Sequence, residues 1–200
     1  MPDVPAAATA LLLCDLQNDF LHPDGAYARG GLADAGMAAL PGRLRPFARA
    51  LADKGGTLIS THFTLVPGRD GAPIMDTHLR ELRPFLRPGD FAPGSWGQAL
   101  VDDLQPAHFT VEKIAYSAFH MSRLEWVLRK AGIRRVIVAG IVTNGGVSST
   151  IRDAHVREFM PSVLSDGCAA FSQGLHDTAI AALRPVARVL TLAEALEELA

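Results

Sequence analysis

The residues of this chain with the greatest capacity for chemistry are a carboxylate, an ammonium group and a pair of glycines. Asp15, Lys113 and the pair Gly145-Gly146 each follow closely after a short apolar run. A carboxylate can donate or accept a proton, and backbone N–H groups exposed at the start of a helix can bind an anion or an oxyanion. These groups predict acid–base chemistry on a small molecule.

The elements that must position these groups are short apolar runs that alternate with segments of helical period. The predicted strands are Thr9–Cys14, Thr57–Thr61, Phe109–Glu112, Arg135–Gly140, Met160–Leu164 and Ala187–Leu190. The predicted helices are Leu40–Lys54, Arg123–Ala131, Val147–Glu158, Leu175–Leu183 and Ala193–Leu199. This alternation predicts a three-layer α/β/α fold with a mainly parallel, Rossmann-like sheet of six strands.

The predicted sheet would bring the reactive groups together. Ligands of open parallel sheets bind outside the carboxyl ends of the strands, near the point where strand order reverses. Asp15, Lys113 and Gly145-Gly146 all lie at such ends, so they should converge on one crevice. The segment Val66–Gly97 is rich in Pro and Gly and has no clean period, which predicts a long surface excursion.

Composition limits the class of protein. The 200 residues, 48% of them hydrophobic, predict a single domain over residues 1–200. A formal charge of −2 gives no basic surplus for nucleic acid or anionic lipid, and no apolar run is long enough to span a bilayer. Cys14 and Cys168 form neither a disulfide framework nor a zinc spacing, which favours a reducing, cytoplasmic location.

The motifs that carry the chemistry resemble those of the isochorismatase-like hydrolases. The matching segments are Asp15-Leu16-Gln17-Asn18-Asp19-Phe20, Lys113 with Tyr116-Ser117-Ala118-Phe119, the turn from Gly140 to Val147, and Ser149-Thr150-Ile151-Arg152-Asp153-Ala154. Most members of that family are amidases with an Asp, Lys and Cys triad. The resemblance assigns the Asp to Asp15 and the Lys to Lys113, and it places Gly146 at the position of the Cys.

Gly146 excludes covalent amidase chemistry at this position, because glycine has no side chain to attack a carbonyl. Loss of a covalent nucleophile costs about six orders of magnitude in rate. Neither cysteine is expected to replace it. Cys14 should point away from the side that Asp15 faces, and Cys168, placed after the fifth predicted strand, is expected to be an inert buried thiol.

Isochorismatases proper, which the chain also resembles, have glycine at this position. The resemblance implies that Asp15 protonates an enol ether and that water, rather than a thiolate, is the nucleophile. The expected substrate is a small carboxylic acid, with its carboxylate paired to Lys113. Thr143-Asn144 and Val147 depart from the isochorismatase pattern, so another enol ether is as good a candidate as isochorismate. The alternative is a catalytically silent relative that binds small acids or serves in an assembly.

Other residues are assigned to the site by position. Phe20, Trp96 and Phe119 are expected to wall the pocket, although plain core positions would also suit them. Thr143, Asn144 and Gly145 are expected to contact substrate, and the glycine pair could also be a tight turn.

The resemblance further implies a strained or cis peptide just before the turn, placed at Val142-Thr143. Asn18 should hold the first loop's backbone, and Arg152-Asp153 should make structural ion pairs with neighbouring loops.

No catalytic metal and no cofactor are expected. The histidines are scattered over separate elements, and His62 lacks the Asp-x-His spacing of zinc-holding relatives. Family resemblance implies a homodimer or larger homo-oligomer.

Overall fold

The computed structural model describes residues 4–199, which include a six-stranded sheet. Its strand order is β3-β2-β1-β4-β5-β6 and every neighbouring pair is parallel. The strands are β1 Thr9–Cys14, β2 Thr57–Phe63, β3 Phe109–Lys113, β4 Arg135–Ile141, β5 Met160–Ala169 and β6 Arg188–Leu190. Strand order reverses between β1 and β4, so a ligand site is expected at the carboxyl ends of these two strands.

The longer helices cover both faces of the sheet, and shorter helices lie in the connections. The helices are α1 Asn18–Leu21, α2 Ala26–Arg29, α3 Ala35–Ala38, α4 Leu40–Asp53, α5 Thr77–Leu82, α6 Leu124–Lys130, α7 Ser148–Val156, α8 Gln173–Leu183 and α9 Leu192–Glu197. The predicted α/β fold with a Rossmann-like parallel sheet is confirmed.

The alternation of side chains along β1 divides the core into two layers. Leu12 and its neighbours on one face pack with the apolar residues of α6, α7 and α8. Leu11 and Leu13 pack on the other face with α4, whose Leu44 and Phe47 are fully buried. Both faces of the sheet are covered, which explains why its strands are continuous apolar runs.

The predicted strands and the longer helices are present, with two differences at the site. The fifth strand continues to Ala169, because a register shift between Val138 and Gly140 lets Gly140 pair with Cys168. Cys168 therefore lies inside the strand, not after it. The helix predicted from Val147 begins at Ser148, after a wide turn over Thr143–Val147.

The surface excursion contains one helix that the sequence analysis missed. Helix α5 begins after Asp76, whose side chain accepts a hydrogen bond from the Leu79 backbone N–H at 2.7 Å. Its first and last residues, Thr77 and Leu82, bound only six residues, too few for a helical period to stand out. Within residues 4–199, no helix has the length and apolar character needed to cross a membrane.

Candidate active site

A cavity of about 340 Å³ opens at the carboxyl ends of β1 and β4, where strand order reverses. Asp15, Lys113 and Gly146 lie together at its inner end, and we call these three residues the floor. The structure thus brings together the three groups on which the sequence prediction depended.

Asp15 is held in a costly backbone conformation at the end of β1. Its φ angle is 56°, in the left-handed region that a non-glycine residue rarely adopts. Its backbone N–H still continues the sheet by donating to the Thr61 carbonyl at 3.1 Å. The strand end therefore fixes the direction in which the carboxyl group leaves the backbone.

The carboxyl group of Asp15 is buried and only half satisfied. Oδ2 lies 2.8 Å from the Lys113 Nζ, whereas Oδ1 is shielded from solvent and has no hydrogen-bond partner among the described residues. Burial raises the pKa of Asp15, and the Lys113 ammonium opposes that rise. An aspartic acid in this setting is suited to hold a proton that it can later donate.

Lys113 reaches the carboxyl group from two strands away. The last residue of β3 pairs with Phe63 of β2, and β2 lies between β3 and β1. Strands spaced about 4.8 Å apart leave roughly 10 Å to cross, which needs a long side chain. The Nζ also donates to the Ala115 carbonyl at 3.0 Å and lies 5.7 Å from the centre of the Phe63 ring.

Gly146 sits directly against the carboxyl group. A Cβ atom added to it would lie 3.0 Å from the Asp15 Oδ2 and 3.2 Å from the Ile141 carbonyl oxygen. The wide turn Thr143–Val147 places it there, following a cis peptide bond between Ile141 and Val142. The non-standard peptide predicted at Val142-Thr143 thus lies one residue earlier.

Aromatic rings form the side of the cavity, which we call the wall: Phe20, Tyr27, Phe63 and Phe91. Phe20 contacts the other three rings with centroid separations of 4.6 to 6.2 Å. Edge and tilted contacts of this kind stabilise aromatic clusters beyond the effect of burial alone. The wall presents an apolar surface for the body of a ligand.

The outer opening, which we call the mouth, carries one strong cation. Arg83, Phe171 and Tyr116 lie there together with the exposed residues Asp76 and His78. Sequence reasoning missed Arg83, Tyr27 and Phe63. Phe63 ends a strand, as Asp15 follows one, so it could have been found, but no local pattern distinguished Arg83 from the neighbouring arginines.

Of the three residues predicted to wall the pocket, Phe20 does line it. Trp96 does not: it is 53% exposed and packs edge-on against His22 at 4.9 Å. Phe119 lies in the core, 5.9 Å from the Phe159 ring, because it belongs to the cluster under α6 and α7. The assignment of Trp96 and Phe119 to the pocket is therefore corrected.

The turn residues that were predicted to contact substrate do not line the cavity. Thr143 is fully buried, and its Oγ1 lies 2.8 Å from the His176 Nδ1. Asn144 is exposed and outside the cavity lining, and Gly145 lies behind the Tyr116 ring. Of the turn residues predicted to bind substrate or to mark the missing cysteine, only Gly146 forms part of the lining.

Several supporting predictions have clear outcomes. The Asn18 Nδ2 donates to the Trp96 carbonyl at 2.9 Å, so this side chain joins the first loop to the long excursion and does not hold the first loop's own backbone as predicted. Asp153 pairs with Arg157 at 2.8 Å and accepts from the Ser117 hydroxyl, whereas Arg152 donates to a backbone carbonyl. Only Asp153 of the predicted pair makes an ion pair.

Both cysteines are buried, which disfavours the thiolate form that a nucleophile needs. Burial raises the pKa of the Cys14 thiol to about 12, and burial also raises the pKa of Cys168. His62 is buried with its Nε2 2.7 Å from the Ser60 Oγ, and burial lowers its pKa to about 4. Over residues 4–199, no three His, Cys, Asp or Glu side chains are grouped so as to hold a metal ion.

Comparison with known proteins identifies the protein family. A model of the isochorismatase domain matches residues 9–194, so the chain belongs to the isochorismatase family of hydrolases. Its relatives include the ureidoacrylate amidohydrolase RutB of Caulobacter vibrioides strain CB 15. The two are 32% identical over 176 residues, which are 82% of this chain and 77% of that protein.

Solved structures confirm the fold. A cysteine hydrolase from Pseudomonas syringae pv. phaseolicola 1448A superposes with a TM-score of 0.84 at 24% identity, over 100% of this chain and 95% of that one. N-carbamoylsarcosine amidase from Thermoplasma acidophilum gives a TM-score of 0.72 at 24% identity, over 93% and 97%.

Proposed function

We propose that this chain hydrolyses a small carboxylic acid, such as an enol ether, without a covalent intermediate. In this proposal Asp15 is the general acid and water is the nucleophile. One observation carries it: Gly146 adjoins a buried carboxyl group that retains its lysine, so the site keeps an acid where it has no nucleophilic side chain.

The proposed reaction begins with transfer of a proton from Asp15 to the terminal vinyl carbon. Water then attacks the resulting oxocarbenium carbon and returns a proton to the Asp15 carboxylate. The hemiketal collapses to a ketone and an alcohol, as the hydroxyl proton moves to the departing oxygen. One water is consumed and the acid is regenerated. General acid catalysis of this kind contributes about two to four orders of magnitude in rate.

Burial and Lys113 act on Asp15 at different stages of this reaction. Burial raises the pKa of Asp15, which favours the protonated acid before the reaction. After proton donation, the Lys113 ammonium at 2.8 Å stabilises the carboxylate that has formed. The pair thus provides both a proton and a stable conjugate base.

Gly146 contributes space. Any side chain at this position would begin 3.0 Å from the Asp15 Oδ2, where the attacking water or the reacting carbon must approach. The apolar wall would hold the substrate's body and limit the access of other water.

The test is pyruvate release from isochorismate, followed with lactate dehydrogenase, in parallel with hydrolysis of simple amides. We expect pyruvate release by the wild type and a loss of about two to four orders of magnitude in Asp15→Asn, which keeps the shape but not the acidic proton. Undiminished pyruvate release by Asp15→Asn would refute the acid role. If the wild type hydrolyses none of the enol ethers tested, the proposed reaction is refuted.

A catalytically silent amidase relative is the second candidate. The Cβ direction of Gly146 points at Asp15 as a thiol of an Asp, Lys and Cys triad would, and the sequence relatives include ureidoacrylate amidohydrolases. A Gly146→Cys variant that hydrolyses ureidoacrylate, beside a wild type inactive on every substrate, would favour this candidate.

We also propose a cytoplasmic homo-oligomer. The support is that the two cysteines are buried and free, as in proteins of reducing compartments, and that family resemblance implies self-association. Sedimentation equilibrium tests the second part, and a monomer at micromolar concentration would contradict it.

A further inference from the structure

We propose that Arg83 and Tyr27 form the subsite that binds the substrate's carboxylate, at the mouth of the cavity and away from the floor. This inference rests on the proposed function, whose substrate is a small acid. It replaces the expectation that Lys113 pairs with that carboxylate, and it makes Arg83 and Tyr27 the residues that determine specificity.

Lys113 already binds two groups of the protein. Its Nζ lies 2.8 Å from the Asp15 Oδ2 and donates to the Ala115 carbonyl at 3.0 Å, which uses two of its three N–H donors. Its side chain is 2% exposed. A substrate carboxylate bound at Lys113 would have to displace the Asp15 carboxyl group from the ammonium group and would itself be buried.

Arg83, by contrast, makes hydrogen bonds but no ion pair. Its Nε donates to the Tyr27 hydroxyl and its Nη1 donates to the Leu82 carbonyl, each at 2.9 Å, which leaves the N–H groups of Nη2 for a ligand. No carboxylate of residues 4–199 lies within 4.0 Å of its guanidinium group, although Arg83 lines the same cavity. Asp76, the acid at the mouth, caps helix α5 by accepting a hydrogen bond from the Leu79 N–H. The mouth therefore carries a partly buried cation that has no counter-ion among the described residues.

The guanidinium group is also held in place. Its Cζ lies 5.7 Å from the centre of the Tyr27 ring and 5.9 Å from that of Phe171, and these two rings are stacked at 9°. Contacts of this kind favour the cation and restrict its rotamers. A fixed planar guanidinium group suits a carboxylate, which can accept two parallel hydrogen bonds from it.

Tyr27 adds a neutral donor beside the cation. Its hydroxyl oxygen accepts a hydrogen bond from the Arg83 Nε at 2.9 Å, which leaves the hydroxyl proton available to a ligand. Burial raises the pKa of Tyr27, so the phenol stays protonated. Because Tyr27 is also part of the wall, the donor borders the apolar space that leads to Asp15.

The arrangement defines a ligand class: a small molecule with a carboxylate at one end and an apolar, preferably flat, body. The carboxylate would pair with Arg83 and Tyr27, the body would lie on the wall, and the reacting atom would face Asp15. A neutral amide of the same shape would lose the charge-assisted bonds and bind less well.

The experiment measures binding of benzoate and benzamide by titration calorimetry, with acrylate as a smaller acid. The variants are Arg83→Gln and Tyr27→Phe, and Arg80→Gln is the matched control. Arg80 lies on the same helix, is exposed and is outside the cavity lining. Circular dichroism checks that each variant folds.

We expect the wild type and Arg80→Gln to bind benzoate at least about tenfold more tightly than benzamide, since charged hydrogen bonds outweigh neutral ones. Arg83→Gln should lose about 10-fold to 100-fold in benzoate affinity, and Tyr27→Phe about 2-fold to 10-fold. Benzamide affinity should hardly change in either variant, whereas a merely structural role would weaken both ligands alike.

Equal benzoate affinity in Arg83→Gln and Arg80→Gln would overturn the proposal, as would a failure of the wild type to bind either acid. Benzoate is not hydrolysed, so its binding is independent of catalysis. Loss of anion selectivity in Arg83→Gln, combined with full activity in Asp15→Asn, would refute the acid mechanism and leave the subsite standing. The reverse pair of results would refute the subsite alone.

Discussion

The floor and the wall of the cavity are built by different means. Asp15, Lys113 and Gly146 follow or end strands of one parallel sheet, so the sheet's register fixes their relative positions. The wall draws Tyr27 from a four-residue helix and Phe91 from a loop of the long excursion. The contrast indicates that the sheet sets the chemistry, whereas loops set which molecule reaches it.

A buried carboxylate next to the wall joins the short helix that carries Tyr27 to the loop that carries Phe91. Asp19 accepts hydrogen bonds from the backbone N–H groups of Ala26 at 3.0 Å and Phe91 at 2.7 Å. It thereby ties these two segments together next to the aromatic rings. In the floor a buried carboxylate is left available for chemistry, and in the wall one is fully used for structure.

The largest effect is expected from removing the cation of the floor. In Lys113→Met the buried Asp15 loses the one charged partner that it has among residues 4–199. At a pH at which Asp15 of the wild type is ionised, this should lower the free energy of unfolding by about 3 to 5 kcal/mol. The measurement is urea unfolding followed by circular dichroism. The double variant Lys113→Met/Asp15→Asn is the control and should recover much of the stability.

The same variant makes a prediction about pH. Burial already places the pKa of Asp15 above its unfolded value, and loss of Lys113 raises it further. The folded state then binds a proton that the unfolded state has released, so stability falls as pH rises from the unfolded pKa through the folded one. Stability of Lys113→Met that is independent of pH across the acidic range would contradict this assignment.

The next effect concerns space in the floor. Gly146→Ala introduces a Cβ atom 3.0 Å from the Asp15 Oδ2 and 3.2 Å from a backbone carbonyl, so the carboxyl group must shift. A misplacement of about 1 Å can cost about 100-fold in rate, so we expect a loss of about 10-fold for the smaller shift required here. Steady-state kinetics should show a fall in kcat with little change in the melting temperature. Gly42→Ala, with open space around its Cβ position, is the control, and equal activity of the two variants would break the argument.

A smaller effect is expected in the wall. Asp19→Ala leaves the N–H groups of Ala26 and Phe91 without their acceptor, which should cost about 2 kcal/mol in unfolding free energy. If the wall governs recognition, KM for substrate should rise more than kcat falls. A variant that lost kcat alone would show that the wall also positions the floor.

The smallest effect on kinetics is expected for a substitution just outside the wall. Trp96 lies outside the cavity, so Trp96→Leu should change KM and kcat by less than about twofold, as surface substitutions do. Phe20→Leu, at a position that lines the cavity, is the comparison and should raise KM more. A large rise in KM for Trp96→Leu would extend the wall to this residue.

The sequence by itself determined the sheet and the inner end of the site. Six apolar runs predicted the six strands, and Asp15, Lys113 and Gly146 could be found because each residue's place depends on where a nearby strand ends. Parallel strands end at the same edge of a sheet, so residues distant in the chain become neighbours by a general rule.

Only the tertiary structure decided the wall and the mouth. Tyr27 lies in a four-residue helix and Arg83 directly follows a six-residue helix, and such short helices show no clear period, so nothing local to either residue predicts the hydrogen bond between them. Tertiary packing also explains why Trp96 and Phe119 were wrongly assigned to the pocket. Both are aromatic residues near predicted site segments, but their side-chain directions depend on packing against His22 and Phe159. Backbone hydrogen bonding repeats along a strand and can be read from sequence, whereas the packing of loop side chains depends on all their neighbours at once.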